Sequence, residues 1–303
     1  MNRNVTWMNL GKDVTGCQKV EEVLEQSGLN YLVDKAELVF NPANPNLGVE
    51  TVPNKVATYR TDTGKCMGVV GRDFQVIQNI DAFNFINSIH SDMEFVKAGE
   101  SGNGACWIIS QFPEMEVLGD KIRPHLIFQN GHNGYVGLKA TICMLRIICQ
   151  NQFNAAFKEA SNSIHIRHCG DVAGKMKAAQ EILSQMGNYL ETYKSTAETL
   201  VRKKVDNVTL QQIISKMIAD QSAVEEDSLK ARRLDYFRQA YNADDNANFK
   251  GTAWGVMNAY TDYITHLPAG RVTASLEDKR FVKVSMENRE VNQMLNLLEE
   301  VAC

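Results

Sequence analysis

The sequence predicts an α+β protein: a curved antiparallel sheet with a helix packed on it, followed by a mostly helical C-terminal half. Two patterns and one bulk property lead there. Between residues 56 and 146, runs rich in Val, Ile and aromatics are broken by turn signals at intervals of about 8–12 residues, as in strands joined by short loops. Beyond residue 150, apolar residues recur with a period of about 3.6, as in amphipathic helices. The chain of 303 residues is 44% apolar and 22% charged, which supplies a sizeable core and excludes long disorder. It divides into an N-terminal arm with a short helix (1–53), a sheet-rich core (54–170) and a helical region (171–303).

Taken in order, Val20 to Ser27 reads as a short charged helix and NPANPNLG (Asn41 to Gly48) as a turn-rich connector. VATYR and CMGVV flank the turn TDTGK, which carries Gly64, and form a hairpin; FQVI after Gly71 reads as a further strand. Glycines at 68 and 71 suit a bulge or a close backbone approach. Asp81 is placed to cap a helix with Phe83, Ile86 and Ile89 on one face. MEFVKA, ACWIISQF, MEVLGDKIR with a turn at Gly119-Asp120, PHLIFQ closing in NGHNG, and the apolar run YVGLKATICMLRIICQ complete the sheet.

Helices follow. Phe153, Ala156, Phe157 and Ala160 share one helical face. A long amphipathic helix covers Val172 to Lys204, with Met176, Ile182, Leu183, Met186, Leu190, Tyr193, Ala197 and Leu200 as its stripe. Further helices are predicted over Thr209 to Ala219, from a capping box at Ser222 to Glu225 as far as about Tyr241, from Thr252 to about His266, and from about Ser285 to Val301.

What is missing narrows the function. No window approaches the ~18 uninterrupted apolar residues of a membrane span. The start, MNRNVTWMNLGKD, has no apolar signal region, so a cytoplasmic protein without membrane contact is expected. Seven cysteines (17, 66, 106, 143, 149, 169 and 303) are scattered without a CxxC pair, so reduced, mostly buried thiols are expected rather than disulfides or a zinc knuckle. There is no GxSxG, P-loop, HExxH or GxGxxG leading from strand to helix, and no cofactor is expected.

Cys149 with Gln150 and Asn151, near His165 and His168, is the most enzyme-like cluster, because a thiol nucleophile needs a base and an orienting partner. A small thiol ending an apolar strand is more commonly a core residue, and an enzyme is not expected. His165, His168 and Cys169 have HxxH-C spacing for a metal but no evident fourth ligand.

The net charge of −4 argues against a strongly electrostatic nucleic-acid binder. The average hides an island: Lys121 to Lys177 holds eight basic residues against Glu159 and Asp171, together with His125, His132, His165 and His168. Folded into one groove, such cations follow a phosphate backbone. Arg60, Lys65, Arg72, Lys139, Arg146, Lys158, Arg167 and His168 are the candidate backbone contacts, and Tyr59, Phe74 and Tyr135 the aromatics for stacking on unpaired bases. Lys139 and Arg146 lie seven residues apart on one strand, hence on opposite faces unless a bulge intervenes. The plain alternative is a scatter of solvated charges.

Three segments carry a family likeness: YRTDTGKCMGVVGRDFQVIQN (Tyr59 to Asn79), LRIICQNQFNAAF (Leu145 to Phe157) with IRHCG (Ile166 to Gly170) soon after, and GTAWGVMNAYTDYITH (Gly251 to His266). Together, from about Asn54 onward, they resemble the phage/plasmid-like protein family, also called domain of unknown function 932. Gln152-Phe153 stand where that family usually has Thr-Leu after CQN, and Cys169 where a Thr commonly follows RH. The resemblance implies a protein of a bacteriophage, prophage or plasmid, encoded among recombination, repair and anti-restriction functions and acting in the bacterial cytoplasm. A curved antiparallel sheet followed by a helix is also the core of RecT-like single-strand annealing proteins, which form rings or filaments and hold one strand by its backbone. The expectation is a single-stranded DNA-binding protein of recombination or replication, assembled as a homo-oligomeric ring or filament. The alternative is a non-catalytic interaction protein that inhibits or redirects a host defence or DNA-metabolism factor.

Overall fold

The computed structural model describes residues 10–44, 46–88, 93–101, 104–146, 152–153, 163–177, 186–219, 227–266 and 289–301. Two antiparallel sheets precede a helical C-terminal half, so the fold is α+β. The larger sheet runs in the order β1 (Lys12–Asp13), β5 (Glu94–Glu100), β6 (Ala105–Gln111), β8 (Asp120–Gly131), β9 (Leu138–Arg146) and β10 (Gln152–Phe153). On its margins, β7 (Met115–Val117) pairs with β8, and β11 (Ser163–Ile166) pairs with β9 beside β10. The smaller sheet is β2 (Val33–Phe40), β3 (Glu50–Arg60) and β4 (Cys66–Gly71).

The apolar runs of β6, β8 and β9 follow from burial on both sheet faces. Cys106, Ile108, Leu126, Phe128, Ala140, Ile142 and Met144 enter the main core on one face, while Trp107, Ile109, Ile127 and Cys143 form a second cluster on the other. Full burial of each large aliphatic or aromatic side chain contributes about 1.5–3 kcal/mol. Pairing of β8 with β9 runs without a shift from Ile122–Arg146 to Gln129–Lys139. With no bulge between them, position 146 lies on the opposite face of β9 from Lys139.

The smaller sheet docks on the loop between β8 and β9. Thr58 Oγ1 donates to the His132 carbonyl at 2.6 Å. At Gly68 a Cβ would lie 2.6 Å from Asn133 Cα, so only glycine lets β4 approach this closely. That is the close-approach role expected of this glycine.

The helices are α1 (Val20–Ser27), α2 (Asn79–Asn84), α3 (Met186–Arg202), α4 (Asn207–Ile214), α5 (Asp227–Tyr241), α6 (Ala253–His266) and α7 (Arg289–Val301). Helix α6 is the hub: α3, α5 and α7 pack on it, and every residue from Ala253 to Tyr263 is buried. The α3 stripe buries Tyr189, Tyr193, Ala197 and Leu200, and Tyr193 meets Trp254 edge-on at 5.9 Å. Asp206 caps α4 by accepting from the Thr209 N–H at 2.7 Å. Among the described residues, no helix is long and apolar enough to cross a membrane.

Several local expectations are corrected. Val33–Phe40, read as part of an arm, is a strand, because β3 continues back to Glu50 and gives it a partner. FQVI is not a strand, since its backbone and flanking amides bond to separate chain segments rather than to one neighbour. Asp81 sits inside α2, which starts two residues earlier, and so does not cap it. Phe153 belongs to β10 rather than to a helical face, and Ile166 ends β11. Ile89, Cys149, Gln150, Asn151, Ala156, Phe157, Lys158, Ala160, Ile182, Leu183 and the Ser222–Glu225 capping box lie outside the described residues.

Candidate nucleic-acid interface

Beyond Gly71 the chain leaves β4 and runs through Arg72, Asp73 and Phe74 across the end of β11. Gln75 pins this crossing: its N–H donates to the His168 carbonyl and its side-chain amide to the Gly170 carbonyl, each at 2.8 Å. Lys35 Nζ donates to the carbonyls of Arg72 (3.2 Å) and Phe74 (3.0 Å). Gln78 then exchanges two bonds with the backbone of Val33, at 3.0 and 2.8 Å. These long-range bonds take the place of strand pairing.

The crossing encloses a cavity of about 400 Å³. Gly71, Asp73 and Phe74 line one side, Gly134 to Gly137 of the β8–β9 loop a second, and His165, Arg167, His168 and Cys169 a third. The Phe74 ring stacks on His168 with centroids 4.8 Å apart and planes 3° from parallel. Tyr135 is 88% exposed, in a loop whose turn is set by the Tyr135 N–H donating to Asn133 Oδ1 at 2.9 Å. A Cβ at Gly137 would stand 2.5 Å from His165 Nε2, so glycine there brings the loop against β11.

Charges of both signs stand at the cavity: Arg167 and Asp73 line it, and Lys139 and Lys175 lie nearby. Lys139 faces His165 across the β9–β11 pair. Burial lowers the pKa of His165, and the charges of Lys139 and Arg167 lower it further. His168 is buried and also lowered, first by burial, and its Nδ1 lies 3.0 Å from the Gln75 carbonyl. Its Nδ1–H therefore donates, and the ring presented to Phe74 is neutral. Lys175 Nζ donates to the Cys169 carbonyl at 2.9 Å, which adds a cation beside the opening.

Behind the β8–β9 loop lies a buried polar cluster. Asn79 Nδ2 donates to the Leu29 carbonyl (2.9 Å), Asn130 Nδ2 donates to Asn79 Oδ1 and the Ile77 carbonyl (both 3.0 Å), and His132 Nε2 lies 2.9 Å from Asn79 Oδ1. Tyr31 Oη sits 2.9 Å from Cys106 Sγ. Burial pushes the Cys106 thiol up to about 12 and holds His132 down at about 4, so neither is charged near neutrality. This cluster supports the loop rather than performing thiol chemistry.

The structure therefore collects Phe74, Tyr135, Arg167 and His168 at one cavity and puts Lys139 beside it. Arg72 stands at its edge, 3.5 Å from Glu37; both are exposed, so the pair is worth at most about 1 kcal/mol. Tyr59, Arg60 and Lys65 are not brought there. Tyr59 pairs with Cys66 and Lys55 with Gly71, so the hairpin tip is roughly 15 Å from its base. At that tip Arg60 donates to both carboxylate oxygens of Asp62, at 3.1 and 2.7 Å, and lies 3.9 Å over the Tyr31 ring. Position 146, on the other face of β9, does not share this surface. Arg123 of the basic island pairs with Glu114. A single long cationic track is thus replaced by a compact patch.

Asp73 and Lys35 were not among the expected site residues, and His165 entered only as a possible base or metal ligand. Asp73 had one signal, its place directly before Phe74 in GRDFQV. Among the described residues, no three His, Cys, Asp or Glu side chains converge for a metal, so His165, His168 and Cys169 do not make a ligand set.

The family described as a domain of unknown function (DUF932) matches residues 66–296, from β4 into α7, and takes in every residue that lines the cavity. The chain belongs to that family. No curated protein and no solved structure matches the chain. For this DUF932 protein the cavity's own chemistry, aromatic rings beside Arg167 and Asp73, is what speaks to function.

Proposed function

We propose that this DUF932 protein binds single-stranded DNA at the cavity, in recombination, replication or annealing steps of a phage or plasmid. The observation that supports the reading best is the meeting of Phe74, Tyr135, Arg167 and His168, drawn from three separate stretches of chain, at one cavity, with Lys139 across the β9–β11 pair from its His165. Each supplies what an unpaired strand needs. Tyr135 and the Phe74–His168 stack offer ring faces for bases, and Lys139 and Arg167 offset the charge of adjacent phosphates. A duplex hides its base faces, so a stacking site of this kind favours single strands. Such binding forms and breaks no covalent bond. Copies held side by side along one strand would make the homo-oligomer, with pairing through β2 or β4, the outer strands of the smaller sheet among the described residues.

The test is fluorescence anisotropy of a labelled oligothymidylate across a salt series. Affinity falls linearly with salt on logarithmic axes, and Arg167→Ala lowers the slope by about 1 because one phosphate contact is gone. A flat salt response, or a slope unchanged in Arg167→Ala, overturns the reading.

A further inference from the structure

We infer that the cavity reads one guanine of the bound strand, with Asp73 as the residue that selects it. The inference rests on the single-strand reading above and adds base choice to it.

Asp73 is out of place in a site that only holds phosphates. Asp73 lines the cavity together with Phe74 and Arg167, and a negative charge there repels the very groups the cations attract. It is exposed, and it makes no ion pair among the described residues; the adjacent Arg72 pairs with Glu37 instead. A carboxylate left open among aromatic rings is suited to a ligand with N–H donors.

Base chemistry narrows that ligand. An ionised carboxylate offers two acceptor oxygens side by side and no donor. Guanine presents N1–H and the N2 amine as two adjacent donors, and so meets it twice. Adenine and cytosine each set an acceptor nitrogen beside their amine, and thymine flanks its single N–H with two carbonyls. In each of these a lone pair faces the carboxylate. The cavity of about 400 Å³ has room for a purine, and the Phe74–His168 pair and Tyr135 give it flat surfaces to lie on. Cations on the rim take the flanking phosphates, so position and identity are read by different groups.

The experiment compares labelled oligothymidylates of about 12 nucleotides, a length within the usual range of single-strand sites. One is all dT, one carries a single central dG, and one carries inosine there, which lacks the N2 amine. With the full chain, the dG oligonucleotide binds about tenfold tighter than all-dT, and inosine falls between. In Asp73→Asn the ratio of dG to dT falls to within about twofold. Equal binding of dG and dT oligonucleotides by the native protein overturns guanine selection and leaves the single-strand reading standing. A preference that survives in Asp73→Asn removes Asp73 from the proposal. Failure to bind any of the three overturns both readings.

Discussion

The two ends of the β3–β4 hairpin carry similar residues and use them differently. At the tip are Tyr59, Arg60 and Lys65; at the base are Phe74, Tyr135, Lys139 and Arg167. The Arg60 guanidinium finds its partners within the chain, bonded to Asp62 and seated over Tyr31. The Asp62 bond raises the Arg60 pKa and lowers that of Asp62. At the base, Arg167 is exposed at the mouth of a cavity, and Tyr135 shows most of its ring to solvent. A cation next to an aromatic is thus no sign of a ligand by itself. What separates Arg60 from Arg167 is whether the favourable contact is already made in the folded chain.

The sharpest way to break this contrast is a pair of double variants. Tyr135→Ala with Arg167→Ala removes one stacking surface and one phosphate contact, worth together about 2.7 kcal/mol, and weakens oligothymidylate binding about a hundredfold. Tyr59→Ala with Lys65→Ala changes it by less than about threefold, because neither residue lines the cavity. Anisotropy at one fixed salt concentration reads both. Equal losses at the two ends would mean that the strand runs along the hairpin.

A somewhat smaller effect is expected from acid. Two buried neutral histidines bear on the fold as a whole: His132 behind the β8–β9 loop and His125 farther along β8. His132 is held at about 4 by burial and by the nearby His168, and His125 at about 4 by burial, against 6.5 for the free ring. The folded protein therefore binds fewer protons than the unfolded chain between those values. Stability is complete above the unfolded value and is lost as pH falls toward the folded one. Each ring accounts for about 2 kcal/mol between about pH 7 and about pH 5. Urea melts across that range measure the loss, and His132→Gln reduces it by one ring's share. A pH-independent midpoint would show that the loop carrying Tyr135 does not depend on neutral His132.

This contrast also marks how far the residues could be read without the fold. The β3–β4 hairpin was legible because TDTGK is a turn between two alternating runs, and α6 because its apolar spacing is helical. Phe74, Tyr135 and Arg167 were legible as residue types. Their meeting was not, since it depends on Gln75 bonding to His168 and on a glycine at 137 that brings the β8–β9 loop to β11. Strand β2 was missed because most of its positions are exposed, which leaves no one-sided apolar alternation to see. Strand β11 was missed because four residues are too few to show a period. The opposite faces of Lys139 and Arg146 were legible, because strand geometry alone dictates them once no bulge intervenes.

The smallest expected effect is at Arg60, and it tests the contrast from the other side. Its guanidinium is already engaged, so Arg60→Ala costs fold stability rather than affinity. The lost cation–π contact is worth about 0.5–1 kcal/mol at a site that is still partly open to water. The bond to Asp62 adds little, since Asp62 is largely solvated. Oligothymidylate affinity should stay within about twofold of the native value, while the urea midpoint falls slightly. A large affinity loss with an unchanged midpoint would invert this assignment: Arg60 would then release Asp62 to meet a phosphate, and the hairpin tip would belong to the binding surface after all.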